Sequence, residues 1–178
     1  MTDTQSIGFT LVDSQIHFSV NRIYLFKANG AAAASSLTVT FLCPSDAATG
    51  AHIVVFAVSG SLLDIVQSGK GTGASSTTPA ATMSGAFNTA NVGVGVCGNG
   101  SNPAAVTQPG SWVEDDDLGF ATPACGAESC HRDSGETGST ITWGSTSATG
   151  WGAMAAEIAP AAATSLIWNP HASSLYGR

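Results

Sequence analysis

The sequence predicts an all-β fold, a jelly-roll-like β-sandwich, from three observations. Apolar residues recur with a period of two along much of the chain. Stretches rich in Gly, Ser, Thr and Pro separate these runs, as turns and loops require. Helix signals are scarce: "AAAASS" (31–36) is too short, and Pro160 would stop a helix through "WGAMAAEIAPAAATSL".

Taken in order, "QIHFSV" sets Ile16, Phe18 and Val20 against His17 and Ser19, and "RIYLF" follows across Asn21. "SLTVTFLC" places Leu37, Val39, Phe41 and Cys43 on one face. "HIVVFAVSG" is apolar on both faces and reads as a central strand buried on two sides. Ser68 to Thr82 has a loop composition. Within it, "GKGTGASS" (Gly69 to Ser76) reads as a flexible loop, because the order G-x-x-x-x-G-K-[ST] of a phosphate-binding loop is missing and no helix follows. "NVGVGVCG" alternates Val92, Val94 and Val96 with glycines, which predicts a strand crossed closely by something bulky, or a bulge. Gly98 to Gly110 and Ser134 to Ser139 read as loops. "STITWGS" and "WGAMAAEI" are the last strands. Residues 1–160 are expected to form one β-sandwich domain with an N-terminal arm at 1–15, and 161–178 a C-terminal extension.

A chain of 178 residues can bury one real core. Lys and Arg number only 5 against 12 acidic residues, and the net charge is −7. No basic cluster exists, so nucleic acid is not an expected partner, since neutralising phosphates needs grouped cations. The start, "MTDTQSIGF", lacks the basic-then-apolar pattern of a signal peptide, and "IVVFAV" is too short to span a bilayer. Synthesis in the cytoplasm and no membrane partner are therefore expected. The four cysteines read mainly as free thiols: Cys43 and Cys97 as small strand hydrophobes, Cys125 and Cys130 as a close pair with a local disulfide as the alternative. No second CxxC or HxxxH completes a zinc set.

The run Glu114, Asp115, Asp116, Asp117 inside "WVEDDDLGF" is conspicuous, because only 10% of the chain is charged. Asp115, Asp116 and Asp117 are weak metal candidates. Calcium needs six or more oxygens, and successive residues of an extended chain point opposite ways. The preferred reading is a hydrophilic bend, since like charges seek water. No G-x-S-x-G elbow occurs, and "HRDSG" shares only its first three letters with a kinase catalytic loop. No enzyme activity and no cofactor are expected. Of the four tryptophans, Trp143 and Trp151 fall in strands and read as core. Trp112 and Trp168 are freer to mark an interface, with Leu175 and Tyr176 as further anchors in the tail.

From about Ser36 to Pro160 the chain resembles a jelly-roll β-sandwich domain of tailed-bacteriophage virion proteins. "SSLTVTF" is similar to that family's Thr-Val-Thr strand, and "HIVVFAVSG" to its Val-Ser-Gly strand and turn. "SGAFNTANVGVGVCG" is similar to its Val-Gly strand, "AESCHRDSGETGSTITWGS" to its His-Arg-Asp-Gly turn and Thr-x-Thr-Trp strand, and "TGWGAMAAEIAP" to its closing strand, in the same order. The family usually has more strands before "IYLFKANG", so the resemblance implies that one or two N-terminal strands are missing. It further implies a structural virion protein, a capsid decoration or head-associated component, packing against copies of itself and other virion proteins. The alternative is a tail- or fibre-associated module binding a host glycan through Trp112 and the Gly98 to Gly110 loop.

Overall fold

The computed structural model describes residues 2–3, 8–17, 21–28, 39–40, 52–58, 63–100, 106–121, 124–145 and 148–160. Among them every regular element is a strand: β1 (Thr2–Asp3), β2 (Thr10–His17), β3 (Asn21–Lys27), β4 (Val39–Thr40), β5 (Leu63–Ser76), β6 (Ala80–Thr82), β7 (Val92–Asn99), β8 (Val106–Thr107), β9 (Val113–Ala121), β10 (Ala124–Arg132), β11 (Thr140–Thr142), β12 (Gly144–Ser145) and β13 (Thr149–Pro160). The fold is all-β, as the alternation predicts.

Seven strands form one sheet in the order β11-β6-β5-β13-β7-β10-β9, with every neighbouring pair antiparallel. The sheet curls into a half-barrel compatible with a β-sandwich. The ladders fix which side chains share a face. Ala153 lies between Gly71 of β5 and Cys97 of β7, and Cys97 lies opposite Glu128 of β10. One row along, Ala155 lies between Gly69 and Gly95, and Gly95 opposite Cys130. The inner face is thus paved with glycine and alanine, and large rings fill the space above it. A methyl group at Gly95 would stand 2.8 Å from the Trp143 ring, one at Gly93 2.6 Å from Trp112, and one at Gly73 2.6 Å from Trp151. Trp143 is fully buried, and Met83, Phe87, Val106 and Ile141 close the core around it. The glycines of β7 are therefore crossed by bulky groups, as "NVGVGVCG" predicts. At β5 the inner glycines meet backbone instead: a methyl at Gly69 or Gly71 would reach 2.4 Å from the Thr82 carbonyl oxygen or 2.0 Å from that of Ala80. Strand β6 therefore folds across the inner face of β5 instead of lying flush beside it, with Lys70↔Thr82 as their paired residues.

The outer face carries a second layer. The β2–β3 hairpin lies over β13 and β5 and the extended segment 52–58 beside β7, and between them Tyr24, Leu25, Phe56, Val94, Val96 and Met154 line a gap of about 40 Å³. Ion pairs pin each strand of the hairpin to β5: Lys70 to Asp13 at 2.6 Å and Lys27 to Asp64 at 2.5 Å. Covered on both sides, β13 is buried from Gly152 to Glu157.

Four expectations are corrected. The two-sided strand is β13, not "HIVVFAVSG": residues 52–58 join no ladder among the described residues and alternate between half-buried and exposed, with Ile53 46% and Val55 55% accessible. A strand with layers close on both faces needs small side chains, and "GAMAAE" supplies them. "GKGTGASS" is no loop; it belongs to the 14-residue strand β5. The acid run is no bend; it lies in β9, at the edge of the large sheet. Finally, the expected arm at 1–15 contributes residues 10–15 to β2. "STITWGS" and "WGAMAAEI" do form strands. "FSV" (18–20), most of "SLTVTFLC" and the extension at 161–178 lie outside the described residues.

Candidate functional site

Most of the polar chemistry among the described residues gathers around β9 and β10. Among the described residues strand β9 has one ladder neighbour, β10, and a bulge interrupts their pairing between Ser129 and Cys130. The bulge turns Asp115 toward His131, whose Nδ1 lies 2.7 Å from Asp115 Oδ1. Asp116 instead meets segment 52–58, with His52 Nε2 2.8 Å from its Oδ2. The next member, Asp117, sits opposite Glu128. Adjacent carboxylates thus serve different partners, as an extended chain dictates. His131 also has Asp133 3.9 Å from Nε2, but that carboxylate is 91% exposed. Beside this pair an open cleft of about 380 Å³ runs between Val55–Val58 and Val92, Val94, Asp115 and His131.

The geometry argues for a clip, not a metal centre. The two carboxylates at His131 approach opposite ring nitrogens, so one ion cannot bind all three groups. Among the described residues no group of three His, Cys, Asp or Glu side chains could hold a metal. Asp115, Asp116 and Asp117 are exposed and spread over separate contacts, so their candidacy as ligands gains no support.

Two buried glutamates on the inner face differ sharply. Glu157 of β13 is 3% exposed and receives hydrogen bonds from Gln67 Nε2, from the Asn88 N–H at 2.8 Å and from Asn91 Nδ2 at 2.6 Å. Burial works to raise its pKa, but these donors together hold it below the ordinary value of 4.5. Glu128 of β10 is 0% exposed, and neither carboxyl oxygen has a donor. Burial first, then the nearby charges of Glu114 and Asp117, push its pKa to about 8. The sequence gives no sign of this. "AESCHRD" places Glu128 on a strand, but only the curl of the sheet puts it inside.

Trp112, expected as an interface ring, is a core residue. It is 5% exposed, stands edge-on to Phe87 with ring centroids 6.3 Å apart, and donates its indole N–H to Glu136 at 2.9 Å. Glu136 also accepts from the Gly138 and Thr137 N–H groups and pairs with Arg132 at 2.9 Å. That turn closes through Gly135, whose φ of +85° suits glycine. Trp112 therefore has no open face on which a sugar could stack. Trp143 and Trp151 are core, as expected, Trp151 only in part. Trp168, Leu175 and Tyr176 lie outside the described residues.

Cys97 and Cys130 are free and buried, and Cys125 is free and half-buried. Cys125 and Cys130 stand five residues apart on β10, roughly 16 Å at the strand rise, too far for a disulfide. Burial pushes the Cys97 and Cys130 thiols up, which makes them inert packing groups. Cys43 lies outside the described residues.

No protein-family model matches the chain, and neither curated proteins nor solved structures give a significant match.

Proposed function

We propose that the chain is a structural component of a tailed-phage particle, a capsid decoration or head-associated protein that works by packing against copies of itself and other virion proteins. The phage assignment rests on the ordered strand resemblance from Ser36 to Pro160. One structural observation supports the mode of action: the outer layer leaves large apolar side chains in solvent. Leu11 is 50% exposed, Ile16 47%, Tyr24 41%, Ile53 46% and Val55 55%, all on the β2–β3 hairpin or segment 52–58. Val66 and Val113 are equally exposed on the large sheet, but five of the seven large apolar side chains exposed among the described residues fall on two adjoining segments of one layer, the pattern of an interaction surface. By contrast, Asp115, Asp116 and Arg132 near β9 and β10 are paired within the chain.

The test is a mass-spectrometric count of this chain in purified particles. Stoichiometry comparable to the major capsid subunit supports a decoration role, and a few copies per particle support a tail position. Absence from washed particles overturns the proposal.

A further inference from the structure

We propose that Glu128 is a pH-operated latch, holding the edge strand β9 on β10 while its carboxyl is protonated and letting β9 go when the carboxyl ionises. This does not depend on the assembly role. It starts from position. Glu128 points into the half-barrel, with Cys97 opposite on β7 and Asp117 opposite on β9. The next inner position of β10 is Cys130, opposite Glu114. Among the described residues the ionisable groups facing Glu128 are therefore two carboxylates and two thiols. Asp115 faces His131 instead, and β8 brings only Val106 and Thr107. The cation further along the same face, Arg132, is committed to Glu136 and to the carbonyls of Ser134 and Gly135.

A protonated carboxyl tolerates this site; a carboxylate does not, because it is shut off from bulk solvent and no protein group donates to it. Its environment raises the pKa from 4.5 to about 8. The sign follows. With the folded value raised, stabilisation of the closed state is complete below about 4.5 and declines as pH rises toward 8, where it levels off. The opening equilibrium should therefore climb by about tenfold per pH unit across that window. Strand β9 is the element that gives way. Among the described residues it has one ladder neighbour, its ladder is already broken by the bulge, and it carries both repelling carboxylates. On the other side β7 is locked against β13 over eight paired residues. Glu157, buried on the same face but fed by three donors, has no such response.

Amide hydrogen exchange of the whole chain, resolved by peptide, tests the latch between pH 5 and pH 8 in the parent and in Glu128→Gln. After correction for intrinsic exchange, β9 amides of the parent should open progressively faster relative to the variant, by about tenfold per pH unit, while β5–β13 amides keep a constant ratio. A pH-independent β9 ratio overturns the latch. So does a rise shared equally by β5–β13, which would mean global unfolding. If Glu128→Gln does not fold, the double variant Glu114→Gln, Asp117→Asn replaces it. Removing the two neighbouring charges should shrink the total rise of β9 opening relative to β5–β13 in the same molecule, and an undiminished rise overturns the proposal.

Discussion

Gly93 and Gly95 decide how the core is filled, because each lies under an indole. Adding one methyl at Gly95 drives it to 2.8 Å from the Trp143 ring, which is fully buried and cannot step aside. Gly95→Ala should cost about 1–3 kcal/mol through overpacking. Gly85→Ala, whose methyl meets nothing within 4 Å, should leave the urea midpoint nearly unchanged. Equal midpoints for the two variants would contradict this packing. The buried acids give a second expectation. Because the Glu157 pKa is held down in the fold, its carboxylate contributes stability above about pH 4.5, and this is lost as pH falls through the folded value. The parent should therefore exceed Glu157→Gln in urea-monitored stability at neutral pH and approach it in acid; a constant gap from pH 3 to pH 7 would argue against it. These details were partly legible. The alternating glycines of "NVGVGVCG" announced a bulky neighbour, but which ring lies on which glycine depends on contacts between distant strands.

Strand β9 shows how a correct chemical reading can come with a wrong structural one. The acid run is solvent-exposed, as like charges demand, yet it is a strand and not a bend. Charges on an edge strand deter pairing with other chains, so the run protects an edge that composition alone made look like a loop. Changing Asp115, Asp116 and Asp117 together to Asn should lower stability by about 1 kcal/mol, since the lost His pairs lie near the surface and are only partly buried. Light scattering of the triple variant should nevertheless show faster aggregation than the parent. Unchanged aggregation would remove the edge-guarding role. Strand β5 was misread for a related reason. Its Gly69, Gly71 and Gly73 recur with period two as a strand's inner positions do, so the signal is present in a stretch whose composition alone points to a loop. "HIVVFAVSG" erred the other way: apolarity on both faces suggested two-sided burial, whereas the sheet places alanines and glycines there.

The molecule joins a dense glycine-and-tryptophan half-barrel to an outer layer of hairpin and extended segment that leaves apolar groups in water. The sandwich class was readable from alternation, because period two survives whatever the strand order. The order β11-β6-β5-β13-β7-β10-β9 was not, since it depends on long-range pairing that no local pattern encodes. Neither was the distribution of exposed apolar residues, which follows from which face of each outer segment meets the sheet. If that layer is a packing surface, placing charge on it should abolish association without harming the fold. Sedimentation velocity over a wide concentration range, on the parent and on the variant Leu11→Asp, Ile53→Asp, Val55→Asp, examines this. The parent should associate as concentration rises while the variant stays monomeric with an unchanged circular dichroism spectrum; a parent that remains monomeric throughout, or a folded variant that associates equally well, would contradict assembly through the outer layer.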